Sequence, residues 1–205
     1  MKSRYLIALG GNVRHPRYGA PPDVLRAALK ALAGENGIRL KAVSRIAASA
    51  PLGPPNAMAR RRYANAAAIV RSKLDPQTLL ARLQAIEAAF ARRRRGQRWG
   101  ARTLDLDIVL WSGGAWATPG LTIPHPAFRT RSFVLAPALA IARGWRDPLT
   151  GLTIAHLAAR LRRAAPSVRS GPRHRLTTTA RPHRAAPSRT RGPLAQSVEQ
   201  LTFNQ

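Results

Sequence analysis

The chain has 205 residues, of which 35 are lysine or arginine and eight are acidic, so its formal net charge is +27 at pH 7. This length suits one domain with room for a tail. Cysteine is absent and no apolar run approaches the roughly 18 residues of a membrane span, so disulfides and thiolate chemistry are excluded, no membrane association is expected, and a cytoplasmic location is expected.

The positive charge has two interpretations. Arginine outnumbers lysine 31 to 4, a bias that GC-rich coding produces without any selection for function. The charge nevertheless attracts anions, so a basic nucleic-acid-binding module is one alternative for the function. Aromatic residues make up only 5% of the chain, which is few for such a module, and nucleic acid is expected to bind non-specifically if at all.

The first part of the chain predicts a strand, a glycine-rich loop and a helix. Residues 5–10 indicate a first strand that ends in Gly10, Gly11 and Asn12. These residues permit unusual backbone angles, which fit either a substrate-facing loop or a plain turn. Asp23 is predicted to cap a helix that continues to about residue 33, where apolar residues recur at helical spacing.

The middle of the chain predicts two strands and a second helix. The strands are expected over residues 38–46 and 63–71, with a proline-rich surface loop over residues 49–56 between them. Asp75 and Pro76 form a helix start signal, an N-cap followed by proline at the first helical position. The apolar stripe of this helix consists of Leu79, Leu83, Ile86 and Phe90.

A strand over residues 103–111 carries the strongest chemical signal. Its residues alternate with period 2, which places Asp105 and Asp107 together on one face. The same alternation places Val109 and Trp111 with the aspartates. The opposite, apolar face is predicted to consist of Leu104, Leu106, Ile108 and Leu110.

Two adjacent carboxylates point to a divalent cation. Like charges at this spacing repel each other unless a cation lies between them, and Mg²⁺ takes oxygen ligands while sharing its other positions with phosphates. The alternative is a solvated acidic face. Because the chain has only eight acidic residues, two of them on one strand face beside an arginine cluster favour a Mg²⁺-nucleotide site.

Candidate phosphate ligands lie close to the aspartates in sequence. Arg92, Arg98 and Arg102 precede the strand, and guanidinium groups bind phosphate oxygens in bidentate fashion. Trp99 fits either a cover over the site or core packing. His125 lies between two prolines, where a buried structural histidine is the alternative to a functional one.

The order strand, helix, strand, strand, helix, strand predicts an α+β fold. It is typical of a ferredoxin-like antiparallel sheet with helices packed on one face. After it we expect a turn at residues 112–114, a short strand at 121–123, and helices over 129–143 and 153–161.

The composition divides the chain into two parts. Residues 1–161 are predicted to form the folded domain. Residues 162–205 are rich in Pro, Ser, Thr, Arg and Ala, lack apolar periodicity, and are predicted to be a basic disordered tail. Because residues 193–205 resemble conceptual translations of tRNA genes, an overextended reading frame is one interpretation of the tail.

Several motifs in one order resemble the 6-hydroxymethyl-7,8-dihydropterin pyrophosphokinase family. The resemblance covers residues 4 to about 160. It rests on residues 9–12, 51–53, 63–66, Glu87, 98–110, 123–126 and 131–135. It implies transfer of the β,γ-pyrophosphoryl group of ATP to the hydroxymethyl oxygen of the pterin, with release of AMP, in folate biosynthesis.

The resemblance also implies roles for individual residues. Two Mg²⁺ ions would be held by Asp105 and Asp107, which act in catalysis with Arg92 and Arg102. ATP would be bound by Arg92, Arg98, Trp99, Arg102, His125 and Arg131. The pterin would be bound by Leu52, Tyr63, Asn65 and Phe133, with its ring between the two aromatic side chains.

An inactive homologue of the enzyme is the other alternative. The presence of both aspartates, His125, Tyr63 and Asn65 argues against it. We expect an active monomer whose partners are its two small-molecule substrates.

Overall fold

A computed structural model of the protein describes residues 2–49, 63–90 and 102–164. Seven strands and four α-helices occur in these ranges. In chain order they are β1 (Ser3–Gly11), α1 (Pro21–Gly34), β2 (Ile38–Val43), β3 (Ala47–Ser49), β4 (Tyr63–Ser72), α2 (Pro76–Ala89), β5 (Asp105–Trp111), β6 (Trp116–Thr118), β7 (Leu121–Ile123), α3 (Ser132–Ala142) and α4 (Ile154–Ala164). Within these ranges no helix is long and apolar enough to cross a bilayer.

The main sheet is antiparallel, and its strand order is β2-β4-β1-β5. The short strand β3 pairs with β4 next to β2, while β6 and β7 form a separate hairpin. The two longest strands, β1 and β4, therefore lie at the centre. This order confirms the predicted α+β, ferredoxin-like sheet.

Helices cover both faces of the sheet, which corrects the prediction of helices on one face. On one face, Tyr5, Ile7 and Leu9 of β1 pack with the apolar stripes of α1 and α2. On the other, Leu6 of β1 packs with the buried residues of α3 and α4. We call these the α1/α2 face and the α3/α4 face. Because both faces are buried, β4 shows only weak alternation in its sequence.

The predicted alternation of β5 holds as far as Val109, which packs on the α3/α4 face with the aspartates. The pairing with β1 shifts by one residue, so that Leu6 lies opposite Leu110 and Ile7 opposite Ile108. Val109 is the extra residue of this β-bulge. Beyond it Leu110 packs on the α3/α4 face and Trp111 on the α1/α2 face, the reverse of the prediction.

The helix boundaries differ from the predictions in small ways. Helix α1 begins after Ala20, and Asp23 lies inside its first turn instead of capping it. Helix α2 is capped as predicted, by the Asp75 carboxylate, which accepts a hydrogen bond of 3.0 Å from the Thr78 N–H. The predicted helix 129–143 begins instead as a single 3₁₀ turn, Phe128–Thr130, followed by α3.

The last helix bears on the predicted domain boundary. Helix α4 continues to Ala164, three residues beyond the predicted end at residue 161. The predicted loop over residues 49–56 falls outside the described residues from residue 50 onward, and the predicted tail does so from residue 165 onward.

Candidate active site

Asp105 and Asp107 project from the first residues of β5 on the α3/α4 face, as the sequence predicted. In register, Gly10 of β1 lies between Asp105 on one side and Asn65 of β4 on the other. Directly opposed residues of a sheet share a face, so the aspartates and Asn65 lie on the same surface. Gly10 has no side chain and Ala8 has only a methyl group, so neither residue of β1 separates the aspartates from Asn65 with a large side chain.

The loop after β1 holds the segment that leads into β5. The Arg102 N–H donates to Asn12 Oδ1 at 2.8 Å, and the Asn12 N–H donates to the Arg102 carbonyl at 2.9 Å. A Cβ atom on Gly11 would lie 2.4 Å from the Thr103 carbonyl oxygen. The close neighbour of this glycine is therefore the protein's own main chain. It fixes the position of Arg102 relative to the two aspartates.

Arg102 forms an ion pair with Asp105, whose side chain is 18% exposed. Burial alone would lower the pKa of the Arg102 guanidinium, but the carboxylates of Asp105, Asp107 and Glu87 raise it, and the net direction is upward. Arg102 therefore remains a cation in the site. Glu87 is buried in α2 and accepts a hydrogen bond of 2.7 Å from the Leu106 N–H, which fixes β5 beside this helix.

His125 faces the second aspartate, with its Nε2 atom 3.9 Å from Asp107 Oδ2. The other ring nitrogen, Nδ1, accepts a hydrogen bond of 3.2 Å from the Ala127 N–H. A neutral imidazole in this arrangement carries its proton on Nε2, so this N–H is directed toward the aspartates. The His125 N–H itself donates to the Val109 carbonyl at 3.0 Å, which ties the segment to β5.

The pKa of Asp107 is raised, first by burial and then by the negative charge of Asp105. His125, Arg131 and Arg102 act in the opposite direction but do not cancel these effects. A cation placed between the two carboxylates would offset the repulsion that Asp107 experiences from Asp105.

Arg131 and Phe133 lie at the N-terminal end of α3, above the same face of the sheet. The guanidinium carbon of Arg131 is 5.9 Å from the centre of the Phe133 ring. The 3₁₀ turn that precedes them is fixed by Asp147, which is fully buried and receives two hydrogen bonds from Arg129, of 2.7 and 2.8 Å. This turn lies between His125 and Arg131 in the chain.

The donor set fits magnesium bound jointly by protein and phosphate. In the described ranges no group of three or more His, Asp or Glu side chains could enclose a metal ion. Asp105 and Asp107 instead supply two carboxylates on one rigid strand. Mg²⁺ in phosphoryl-transfer sites uses one or two carboxylates and takes its remaining oxygens from substrate phosphates and water.

The sequence matches the profile of the 7,8-dihydro-6-hydroxymethylpterin-pyrophosphokinase (HPPK) family over residues 6–143. The chain belongs to this family.

Its relatives include two bacterial 2-amino-4-hydroxy-6-hydroxymethyldihydropteridine pyrophosphokinases. The protein from Synechocystis sp. is 39% identical over 152 residues, which cover 74% of this chain and 73% of the relative. The protein from Pseudomonas aeruginosa is 40% identical over 148 residues, covering 72% and 86%. The range matched by the family profile, residues 6–143, includes the site residues described above.

The fold is similar to that of Plasmodium falciparum HPPK-DHPS. The wild-type crystal structure aligns with a TM-score of 0.59 at 11% identity and covers 78% of this chain. The alignment covers 41% of that longer protein. At this identity the similarity shows the HPPK fold alone.

The structure brings together most of the predicted site residues that it describes. Asp105, Asp107, Arg102, His125 and Arg131 form one charged cluster. Asn65 lies on the same face, and its amide nitrogen donates to the Ser49 hydroxyl at 2.8 Å. The remaining predicted HPPK site residues lie outside the described residues: Leu52, Arg92, Arg98 and Trp99.

Tyr63 begins β4, opposite Ser49 of β3, and Phe133 lies in the first turn of α3. Both rings are half-buried, and no direct contact between them occurs in the part of the chain that the structure describes. The prediction that they enclose the pterin of an HPPK stays a prediction.

Sequence reasoning missed the supporting residues of the site. Asn12, Glu87 and the Arg129–Asp147 pair each hold a segment that carries a predicted ligand-binding residue. Two signals were available: Asn12 lies in the glycine loop, and Asp147 is one of very few acidic residues. Neither signal reveals the partner, which is distant in sequence.

Proposed function

We propose that this chain transfers the β,γ-pyrophosphoryl group of ATP to the hydroxymethyl oxygen of 6-hydroxymethyl-7,8-dihydropterin, releasing AMP, as a step of folate biosynthesis. The observation that carries the proposal is the cluster of two adjacent carboxylates with Arg102, His125 and Arg131 at one end of the α3/α4 face. Membership of the HPPK family supports the choice of substrates.

Asp105 and Asp107 would hold magnesium in this mechanism, and we propose two ions. The metal supplies charge neutralisation and alignment of the phosphates with the attacking hydroxyl. The rigidity of β5 keeps both carboxylates in place before substrate binds, because their backbone is paired with Gly10 and Ala8.

The cations around the aspartates would bind the phosphates of ATP. His125 offers its Nε2–H, Arg102 offers guanidinium donors beside Asp105, and Arg131 offers them from the start of α3. These donors stabilise the negative charge that develops on the phosphate oxygens during transfer. By family resemblance, Arg92, Arg98 and Trp99 would join them.

The pterin would lie above Gly10, next to Asn65. The small residue in β1 leaves room for a flat ring, and the buried Asn65 amide is held in place by Ser49. Tyr63 and Phe133 are proposed to stack on the two faces of the ring, with Leu52 completing the pocket. We also propose that the protein is a cytoplasmic monomer.

The test is AMP release from ATP and Mg²⁺, with and without 6-hydroxymethyl-7,8-dihydropterin. We expect AMP formation that depends on the pterin and stops when EDTA removes the metal. Asp105→Asn and Asp107→Asn should each lower the rate by at least about a hundredfold, since each removes a charge that faces the phosphates.

Asp23→Asn is the matched control, because it removes the same charge from an exposed residue of α1. It should retain the wild-type rate. A folded protein that binds the pterin but forms no AMP would indicate the inactive homologue. Full activity of Asp105→Asn would refute the metal assignment.

A further inference from the structure

A row of three arginines crosses the sheet at the end opposite to the aspartates. Arg71 of β4 lies directly opposite Arg4 of β1 on one side and Arg39 of β2 on the other. Residues opposed in this way share a face. It is the α3/α4 face, since Leu6 is two residues from Arg4, Ala67 is four residues from Arg71, and both pack in the α3/α4 cluster. All three side chains are exposed.

Two lysines extend the row into a basic groove. A cavity of about 430 Å³ is lined by Lys2, Arg4, Lys41, Ile69, Arg71 and Ser112. Lys41 is the extra residue of a β-bulge in β2, between Leu40 and Ala42, and therefore lines the cavity. The groove therefore combines four cations with one aliphatic side chain and one hydroxyl group.

Arg4 is held in position before any ligand binds. Its guanidinium carbon lies 5.3 Å from the centre of the Trp145 ring, a cation–π contact. The main-chain N–H of Arg4 donates to the Ser112 hydroxyl at 2.9 Å, and the main-chain carbonyl of Arg4 accepts from the Ser112 N–H at 2.9 Å. The contact with Trp145 restricts the guanidinium, and this reduces the entropy lost on binding.

No carboxylate in the described ranges neutralises the groove. Like charges placed directly opposite each other destabilise a sheet, so the row carries an electrostatic cost. Each acidic residue of these ranges has its partner elsewhere. The pairs of acidic residue and partner are Asp23 with Arg26, Glu35 with Arg82, Asp75 with Thr78, Glu87 with Leu106, Asp105 with Arg102, Asp107 with His125, and Asp147 with Arg129.

We propose that this groove binds a compact anion with two or more phosphate groups, such as inorganic tripolyphosphate or the phosphate chain of a nucleoside triphosphate. Arginine and lysine side chains are the usual ligands of such groups. The cavity volume falls in the range of small-molecule sites. An extended single strand of nucleic acid would also need stacking surfaces, and Trp145, the aromatic ring beside the groove, is already covered by Arg4.

The groove is separate from the proposed active site. Gly10 follows Arg4 by six residue steps along β1, which corresponds to about 20 Å along the strand. One triphosphate cannot occupy both places. The proposal is therefore independent of the pyrophosphokinase activity.

Trp145 provides a local readout for the test. Tripolyphosphate is titrated into the protein in EDTA, and the change in tryptophan fluorescence is followed, because a bound phosphate changes the contact between Arg4 and Trp145. We expect a saturable change that is absent in Trp145→Phe. ATP is titrated in parallel: equal affinity means that the phosphate chain alone is recognised, and tighter binding of ATP means that the nucleoside adds contacts.

Arg71→Ala should weaken tripolyphosphate binding about tenfold or more, since it removes the central cation of the row. The matched control is Arg160→Ala, which removes an equal charge from an exposed residue of α4. Tripolyphosphate should also raise the melting temperature of the wild type more than that of Arg71→Ala. Neither variant touches the aspartate site, so AMP release serves as the check that both are folded.

Three results would overturn the proposal. The first is no fluorescence change that depends on Trp145. The second is equal weakening by Arg71→Ala and Arg160→Ala, which would indicate attraction by net charge alone. The third is tighter binding of a short single-stranded oligonucleotide than of tripolyphosphate at the same salt concentration, which would assign the groove to nucleic acid.

Discussion

Gly11 lies against the main chain of Thr103. The residue before it, Gly10, pairs with Asp105. Gly11→Ala would place a methyl group 2.4 Å from the Thr103 carbonyl oxygen, and main-chain atoms cannot rotate away as a flexible side chain can. We expect a loss of about 1–3 kcal/mol in the free energy of unfolding, the usual range for overpacking. Because Arg102 moves with Thr103, the rate of AMP formation should also fall. Urea unfolding and the AMP assay measure the two effects.

Gly34→Ala is the control for this variant. Gly34 is the last residue of α1, and a Cβ atom there would meet nothing within 4 Å. Its unfolding free energy should stay the same or rise slightly, because alanine reduces the entropy of the unfolded chain. Equal stability of Gly11→Ala and Gly34→Ala would contradict the packing described for the loop.

At the scale of elements, the Arg129–Asp147 pair joins the 3₁₀ turn to the loop before α4. Asp147 is fully buried, and the Arg129 side chain is 27% exposed. Arg129→Ala leaves a buried carboxylate without its cation, which should lower the free energy of unfolding by about 3 kcal/mol or more. The exposed pair Asp23–Arg26 is the control: Arg26→Ala should cost less than about 1 kcal/mol.

The same pair predicts a pH dependence of stability. Burial alone would raise the pKa of Asp147, but hydrogen bonds from Arg129 and Thr150 lower it below the usual value. A carboxyl whose pKa is lower in the folded state contributes stability that is complete above the unfolded pKa, about 3.9, and is lost as the pH falls through the folded pKa. Urea unfolding below about pH 4 should therefore show a smaller loss in Asp147→Asn than in the wild type. Parallel curves for the two proteins would argue against this contribution.

The elements also explain which predictions the sequence could support. Period 2 placed Asp105 and Asp107 correctly because the strand is regular up to Ile108. It failed for Leu110 and Trp111 because Val109 is apolar like its neighbours, so the bulge leaves no mark in the hydropathy pattern. Helices α3 and α4 were predicted, but their face was not, because their packing against Leu6 depends on contacts between distant residues.

At the scale of the whole molecule, small residues in the central strand β1 determine where the site lies on the sheet. At the end of the α3/α4 face that holds the aspartates, β1 presents only Gly10 and Ala8, so no large side chain of β1 fills the space between Asn65 and the aspartates. Cations from the β5 entry, the His125 segment and the start of α3 surround this space. The two hydrophobic clusters on opposite faces of the sheet allow the loops at this end to carry function without supporting the core.

The extent of the folded domain is tested by truncation after Ala164. In the described ranges, Leu161 is the last side chain that packs against the α3/α4 cluster, and α4 ends three residues later. The removed segment carries seven arginines and one glutamate in the sequence. We expect the shortened protein to keep the wild-type rate of AMP formation and melting temperature, and to run as a monomer in gel filtration. Truncation after Arg160, which also removes Leu161, should lower the melting temperature, because it takes a side chain from the cluster. A large loss of activity after truncation at Ala164 would place the domain boundary further along the chain.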